Sequence, residues 1–236
     1  MRFIAVKTYE ELSNIAADLI AAQIMMKPNC VLGLATGSSP NGIYKRLIED
    51  NKSGRLDFST VTSVNLDEYV GLDGTNDQSY RYFMNTYFFD HINIDKAKTF
   101  VPNGCAADLK AEGEAYDNMI KALGGIDLQL LGIGLDGHIG FNEPEDVYIA
   151  ATHEVKLHSS TIKANARFFK AEDEVPKTAI TMGMLSIMSA KKVLLIAQGA
   201  AKKDIVQKSF FGPIYPKIPA SILQLHPDVT VIYSEN

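Results

Sequence analysis

Residues 130–144 read LLGIGLDGHIGFNEP, and this stretch indicates both the kind of fold and the place of a site. The run 126–131 that leads into it is typical of a buried strand. The chain then breaks into a loop with four glycines, which also carries Asp136, His138 and Glu143. Loops past the carboxyl ends of strands bind ligands in open α/β sheets, and carboxylates near an imidazole orient it and raise its basicity. The pattern favours acid–base chemistry; a glycine-rich turn whose charges face water remains the alternative.

Composition and charge narrow the class of protein. The 236 residues suffice for a large core, as one α/β domain or two small ones. A net charge of -5 gives no electrostatic reason to expect a nucleic acid or an anionic membrane as partner. No apolar run approaches membrane-spanning length, and Cys30 and Cys105 lack metal-type spacing. We therefore expect a cytoplasmic protein with reduced thiols, no nucleic-acid or membrane partner and no metal.

A second strand–turn–helix unit predicts an anion site. The strand candidate 30–35 runs into the turn TGSSP, and a helix candidate follows at 42–48. Backbone N–H groups at a helix N-terminus converge on a phosphate, and the helix dipole favours negative charge there. Thr36, Ser38 and Ser39 add hydroxyl donors. An ordinary helix N-cap with Pro40 in the first turn is an equally good interpretation of these residues alone.

Charged residues stand at further junctions of strands and helices. Asp67 and Glu68 follow the strand candidate 61–66, and two acids there, before an aromatic residue and a glycine, favour a site over a helix cap. Arg167 lies near the end of a helix candidate at 159–169, and Lys202 follows the strand candidate 193–197. Taken alone, Arg167 and Lys202 are more typical of solvated surface charges.

Strand and helix candidates alternate along the whole chain. Thr8 and Glu11 form a capping-box pattern before the first amphipathic helix. A helix is predicted at 78–89, where an aromatic stripe is expected to pack in the core. The other candidates are strands at 3–6, 148–157, 178–182 and 229–233 and helices at 111–123, 184–188 and 219–225. The consistent assignment is one doubly wound, Rossmann-like α/β domain over 1–236, with a mostly parallel sheet flanked by helices.

Five stretches together resemble the glucosamine-6-phosphate deaminase family: TGSSP, NLDEYVGL, LGIGLDGHIGFNEP, ANARFF and QGAAKK occur in its order and spacing. The resemblance covers nearly the whole chain and rests most on DEYVGL and DGHIGFNEP. It implies conversion of glucosamine 6-phosphate and water to fructose 6-phosphate and ammonia, an aldose–ketose isomerisation coupled to loss of an amine. It also implies no cofactor, in agreement with the lack of a dinucleotide fingerprint or a metal-ligand cluster in the sequence.

The resemblance assigns roles to individual residues. His138 would open the sugar ring, and Asp136 and Glu143 would hold its imidazole and tune its basicity. Asp67 matches the base that deprotonates C2, with Glu68 beside it as a supporting residue. The substrate phosphate would be bound by the amides and hydroxyls of the turn and by two cations, namely Gly37, Ser38, Ser39, Arg167 and Lys202.

Departures from the family concern regulation. Longer members are hexamers that N-acetylglucosamine 6-phosphate activates through basic residues after the NEP motif and through a C-terminal tail. Here that stretch reads EDVYIAATHEVK, with acidic Glu145 and Asp146, and the sequence ends soon after the last strand candidate. We expect an enzyme without an effector site, with fewer subunits if it forms a homo-oligomer.

Two other functions fit parts of the sequence. A 6-phosphogluconolactonase-like hydrolase has a G-x-G-x-D-G-H loop but needs no second carboxylate at C2, so DEYVGL and FNEP favour the deaminase. A non-catalytic sugar-phosphate sensor is expected to carry a DNA-binding segment and to lose acid–base residues. This sequence has no basic helix-turn-helix and retains Asp67, Asp136, His138 and Glu143.

Overall fold

The computed structural model describes residues 1–169 and 171–236, in which strands and helices alternate. The strands are β1 (Arg2–Val6), β2 (Val31–Leu34), β3 (Thr62–Asn65), β4 (Asp67–Tyr69), β5 (Thr99–Phe100), β6 (Leu128–Leu131), β7 (His153–Lys156), β8 (Thr178–Thr181), β9 (Val193–Gln198) and β10 (Val229–Ser234). The α-helices are α1 (Tyr9–Met26), α2 (Asn41–Lys52), α3 (Tyr80–Tyr87), α4 (Leu109–Ala122), α5 (Ser159–Asn165), α6 (Met184–Met188) and α7 (Lys203–Phe211). Short 3-10 helices include Ala166–Phe168, Ala200–Lys202 and Pro219–Leu225.

Seven strands form one sheet in the order β1-β10-β9-β6-β2-β3-β5, and each pairing in it is parallel. From β2 the chain winds outward through β3 to β5, whereas from β6 it winds the other way through β9 to β10. The predicted doubly wound, mostly parallel α/β fold is thus confirmed. Because the winding reverses between β2 and β6, the segments that follow these two strands diverge and leave a crevice at the carboxyl edge of the sheet.

Three further strands form a second, antiparallel sheet in the order β4-β8-β7. The sequence predicted no second sheet, and it predicted Asp67 and Glu68 after a strand, whereas they lie within β4. Asp67 faces Thr181 in the register of β4 and β8. A short apolar run can pair in either direction, and its partner is set by contacts far along the chain, so local pattern could not identify this sheet.

The first helix begins as the sequence predicts. The N–H of Glu11 donates to Thr8 Oγ1 at 3.1 Å, and the N–H of Thr8 donates to Glu11 Oε2 at 3.3 Å, which completes the capping box. Leu12, Ala16 and Ile20 on its inner face are fully buried. Burial of an aliphatic side chain such as Leu or Ile contributes about 1.5–3 kcal/mol, so α1 is held chiefly by this face. None of the described helices is long and apolar enough to cross a membrane.

The aromatic helix α3 packs only partly as predicted. Met84 is fully buried, and Phe88 just after the helix is 1% exposed, as expected for a core stripe. Tyr87, however, is 52% exposed, and Tyr80, Phe83 and Tyr87 line a cavity. Phe83 and Tyr80 pack against buried hydrophobic clusters as well as lining the cavity, so the core prediction is wrong for Tyr87 alone. A helical stripe identifies one face of the helix but not what covers that face.

Candidate active site

A cavity of about 940 Å³ opens at the point where the winding of the sheet reverses. The turn after β2, the glycine-rich loop after β6, strand β4 and the segment after α5 all contribute to its lining. Of the ten residues predicted from sequence, eight line this cavity, namely Gly37, Ser38, Ser39, Asp67, Asp136, His138, Arg167 and Lys202. Glu68 and Glu143 lie behind this lining and contact residues of the site, as described below.

The loop after β6 holds His138 against two carboxylates. Nδ1 of His138 lies 2.7 Å from Asp136 Oδ1 and 3.7 Å from Glu143 Oε2. The backbone N–H of His138 also donates to Asp136 Oδ1 at 3.2 Å. Burial alone would raise the pKa of Asp136, but its hydrogen bonds and charge interaction with His138 outweigh burial and lower that pKa to about 2. Asp136 is therefore ionised at neutral pH.

Glycine at position 134 is required by the packing of the imidazole. A Cβ atom at Gly134 would lie 2.3 Å from both Nδ1 and Cε1 of His138. The loop closes on itself here, because the N–H of Gly134 donates to the carbonyl oxygen of His138 at 2.9 Å. The local sequence GLDGH thus places the ring directly over the backbone of its own loop.

Glu143 is a buried carboxylate between two imidazoles. Its side chain is only 1% exposed, and Oε2 lies 3.7 Å from His138 Nδ1 and 3.6 Å from His158 Nδ1. The backbone N–H of His158 donates to Glu143 Oε1 at 3.1 Å. The preceding Asn142 anchors this segment by donating to the carbonyl oxygens of Ile139 and Met182, each at 2.9 Å. The contact with His158 has no signal in the sequence motifs.

These side chains also have the composition of a cation site. Asp136, His138 and Glu143 each offer one ligand atom within 4.8 Å of the others. Mixed nitrogen and carboxylate ligands suit first-row divalent ions, while a short His–carboxylate contact equally suits an acid–base group held by hydrogen bonds. The prediction that the site works without a metal stays a prediction.

Asp67 is the buried acid of the cavity. It is 6% exposed on β4, which pairs with β8 and so fixes the backbone that carries the carboxylate. Burial raises the pKa of Asp67 to about 8, and the charge of Glu68 adds to the shift. A carboxylate with so high a pKa is a stronger base than an exposed one, and its protonated form persists near neutral pH.

Glu68 supports the start of α3. Its carboxylate accepts backbone N–H groups of Tyr69, Tyr80 and Arg81, each at 2.9 Å. Burial raises the pKa of Glu68 to about 6, although these hydrogen bonds favour the ionised form. Two of the three donors belong to the first turn of α3, where free N–H groups favour a negative charge. The side chain therefore fixes the aromatic helix beside Asp67.

A second part of the cavity lining, here called the anion end, gathers positive charge around the TGSSP turn. Gly37 has a φ of 90°, a left-handed conformation that glycine adopts readily. Arg167 Nη2 donates to Ser38 Oγ at 3.2 Å, and Lys202 Nζ donates to the carbonyl oxygen of Ile133 at 2.6 Å. Burial lowers the pKa of Lys202 to about 8; Asp136 opposes this shift and Arg167 adds to it. The two predicted cations are thus close enough to interact.

An aromatic wall of the cavity, formed by Tyr69, Tyr80 and Phe141, was missed by the sequence analysis. Tyr69 and Tyr80 have ring centroids 4.9 Å apart, and Tyr80 stacks on Phe141 at 5.9 Å. Asn165 Nδ2 donates to the Tyr69 hydroxyl at 2.9 Å, which ties the end of α5 to β4. Tyr69 was present in the DEYVGL motif, but its contact across 96 residues cannot be read from local spacing.

The fold and the site together define an α/β protein that binds a small anionic metabolite beside a histidine–carboxylate cluster. The model of a family described as glucosamine-6-phosphate isomerases/6-phosphogluconolactonase matches residues 5–232, and the chain belongs to this family. The family resemblance seen in the sequence is therefore confirmed.

Relatives named as glucosamine-6-phosphate deaminases are more similar in sequence to this chain than a 6-phosphogluconolactonase is. A glucosamine-6-phosphate deaminase of Lachnoclostridium phytofermentans is 62% identical over 232 residues, which are 98% of this chain and 98% of that protein. The solved structure of a monomeric glucosamine-6-phosphate deaminase has a TM-score of 0.97 and 47% identity, with 99% of this chain and 97% of that chain covered. A 6-phosphogluconolactonase from Trypanosoma cruzi has a TM-score of 0.78 over 99% of this chain and 94% of that chain; at 18% identity, it shows the shared fold alone.

Proposed function

We propose that this protein converts glucosamine 6-phosphate and water to fructose 6-phosphate and ammonia, within a single domain spanning 1–236. The observation that carries the proposal is one cavity lined by a buried acid, a histidine–carboxylate cluster and an anion-binding turn with two cations. Close relatives named glucosamine-6-phosphate deaminase support the same reaction. An amino-sugar phosphate needs these three kinds of group at once, because its ring must open, a C–H proton must move and its phosphate must be held.

Ring opening is assigned to His138. The imidazole takes the proton of the anomeric hydroxyl and returns a proton to the ring oxygen, which gives the open-chain aldehyde. Asp136 and Glu143 lie on the Nδ1 side of the ring, so the other ring nitrogen is the one proposed to meet the sugar. Their negative charges favour the imidazolium that forms during the transfer.

Isomerisation is assigned to Asp67. Its carboxylate takes the proton from C2 while O1 accepts a proton from solvent, which gives an enolamine. The acid then delivers its proton to C1, which leaves an iminium at C2. Water adds to the iminium, the amine departs as ammonia, and a proton returns to solvent as the ketone forms. A pKa of about 8 suits both halves of this transfer, because the carboxylate is a strong base and its acid form can release the proton again.

Binding of the phosphate is assigned to the residues around the TGSSP turn. The hydroxyl of Ser38 and the guanidinium of Arg167 lie 3.2 Å apart, so both are assigned to the same phosphate group. Lys202 adds a second cation, and Gly37 and Ser39 complete the turn. Charge-assisted hydrogen bonds of this kind contribute about 1.5–3 kcal/mol each. Glu68 is assigned a positioning role through α3.

One assay separates this function from its alternatives. The protein is incubated with glucosamine 6-phosphate, and ammonia and fructose 6-phosphate are measured; we expect them in equal amounts. A parallel reaction with 6-phosphogluconolactone tests the hydrolase, and a binding titration tests the non-catalytic sensor. Lactone hydrolysis without ammonia release, or binding without turnover of either substrate, would reject the deaminase.

We further infer a cytoplasmic enzyme that acts without an effector, as a monomer or a small assembly. The acidic residues of the segment after the NEP motif are engaged within the chain: Asp146 Oδ1 lies 2.6 Å from Lys217 Nζ, and Glu145 Oε1 lies 3.8 Å from His158 Nε2. Acidic side chains there disfavour a phosphorylated effector. Hyperbolic kinetics are expected, and sigmoidal kinetics that N-acetylglucosamine 6-phosphate abolishes would contradict this inference.

A further inference from the structure

Tyr9 contacts the anion-binding turn but is not among the residues that line the cavity. It is the first residue of α1, and its hydroxyl accepts the N–H of Gly42 at 2.8 Å and donates to the carbonyl oxygen of Ser39 at 2.9 Å. The carbonyl oxygen of Ser38 lies 3.3 Å from the same hydroxyl. One phenol thus contacts the carbonyl groups of two residues of the turn and an N–H in the first turn of α2.

The close approach of α1 to α2 makes these contacts possible. A Cβ atom at Gly42 would lie 3.1 Å from Tyr9 Cε1 and 2.3 Å from Ser13 Oγ, so only a residue without a side chain fits here. Tyr9 itself is half-buried and packs against the main hydrophobic core. The phenol ring is therefore held in place by packing as well as by its hydrogen bonds.

The geometry of a trans peptide links Tyr9 to the cavity. The C=O and N–H of one peptide point in opposite directions, and the structure has no cis peptide bond among the described residues. Because the carbonyl oxygen of Ser38 faces Tyr9, the N–H of Ser39 in the same peptide points away from Tyr9. Ser38 and Ser39 both line the cavity, whereas Tyr9 is not among the lining residues.

We infer that Tyr9 is a positioning residue for the phosphate end of the site: it holds the Ser38–Ser39 peptide with its N–H toward the bound anion. The inference rests on the proposed function for the identity of the substrate, though not for the anion. If this peptide rotated by half a turn, a carbonyl oxygen would face the phosphate in place of a donor, and the two negative groups would repel. Tyr9 opposes this rotation through its contact with the Ser38 carbonyl, and it holds the following Ser39–Pro40 peptide through the Ser39 carbonyl.

The test is Tyr9→Phe, which removes the hydroxyl and keeps the ring. Loss of neutral hydrogen bonds of this kind is expected to raise the KM for glucosamine 6-phosphate roughly three- to tenfold. We expect kcat to stay within about twofold, because contacts to the phosphate act in the ground state and the transition state alike. The inhibition constant of inorganic phosphate, measured as a competitive inhibitor, should weaken by the same factor as KM. Tyr215→Phe is the matched control, since Tyr215 is half-exposed and lies outside the described cavity lining.

The outcomes test the positioning role of Tyr9 separately from the proposed function. An unchanged KM and an unchanged inhibition constant for phosphate in Tyr9→Phe would overturn the positioning role. Partial unfolding of the variant cannot imitate the expected result, because neither constant depends on the amount of active enzyme. If wild-type protein released no ammonia from glucosamine 6-phosphate, the proposed function would fail. Phosphate binding by wild type and Tyr9→Phe, measured directly by calorimetry, would still decide the role of Tyr9.

Discussion

The two ends of the cavity are built in different ways. At the proton-transfer end, Asp67 is buried on β4, whose pairing with β8 fixes its backbone. Glu143 is also buried, and its carboxylate accepts the backbone N–H of His158. At the anion end, Ser38 and Arg167 are exposed, and they lie on a turn and just after a short helix. Burial shifts pKa values and orders groups for chemistry, whereas exposure lets a charged substrate enter and leave.

This contrast predicts that substitutions at the two ends change different kinetic constants. Changes at the buried end should lower kcat, because they remove groups that act on the reacting carbons. Changes at the exposed end should raise KM, because they remove contacts that the phosphate makes in the ground state and the transition state alike.

The largest effect is expected from Asp67→Asn. Loss of the group that moves the C2 proton should lower kcat by about 10²–10⁴-fold, while KM changes little. The variant should stay folded at alkaline pH, because an amide avoids the buried negative charge that Asp67 acquires above a pKa of about 8. Stopped assays of ammonia and calorimetric binding of the sugar phosphate measure the two effects. Full turnover by Asp67→Asn would remove Asp67 from the mechanism.

The next effect is expected from Gly134→Ala. The added Cβ would lie 2.3 Å from the His138 ring, so the imidazole must move away from Asp136. A displacement of about 1 Å at a catalytic group costs on the order of 100-fold in rate, so kcat should fall that far with a small change in KM. Gly132→Ala is the control, because its Cβ position is open. Equal activity of the two variants would show that the ring position tolerates displacement.

A smaller effect, on KM alone, is expected at the anion end. Lys202→Met should raise KM about tenfold or more, because it removes a charge-assisted contact to the phosphate. Lys203→Met is the neighbouring control: Lys203 is exposed and pairs with Glu235 at 3.1 Å. A drop in kcat at constant KM in Lys202→Met would move Lys202 to the proton-transfer end.

The smallest effect concerns pH, where both ends should act together. The Asp67 carboxylate must be ionised to accept a proton, and Lys202 must be protonated to hold the phosphate; both have a pKa of about 8. The value of kcat/KM should therefore peak near that pH and fall about threefold one pH unit to either side. Lys202→Arg keeps its charge at alkaline pH and should extend that limb only. An alkaline limb unchanged in Lys202→Arg would exclude Lys202 as its origin.

Sequence reasoning succeeded where the signal is local. The strand before TGSSP, the capping box of Thr8 and Glu11 and the loop DGHIGF each follow from a few neighbouring residues. It failed where the signal is a contact between distant segments. The small sheet joins residues 67–69 to residues 178–181, and no spacing within either segment reveals that pairing. Tyr87 was predicted to lie in the core because helical periodicity does not distinguish packing on a core from lining a cavity.

The candidate site shows the same division. Motifs marked each of its ten residues in the sequence, and the structure brings eight of them into the lining of one cavity. Tyr9, His158 and the contact of Tyr69 with Asn165 were not marked, because a tyrosine at a helix start and a histidine before a helix are common and carry no pattern of their own.

The linear chain was enough to establish the alternation of strands and helices, the family and the identity of the charged residues, because these depend on residue type and short-range order. Folding alone established which acid is buried, which carboxylate meets which imidazole, and which carbonyl groups of the turn meet Tyr9. The reason is that burial, and with it the pKa of Asp67 and Lys202, depends on atoms that lie scores of residues away in sequence and a few ångströms away in space.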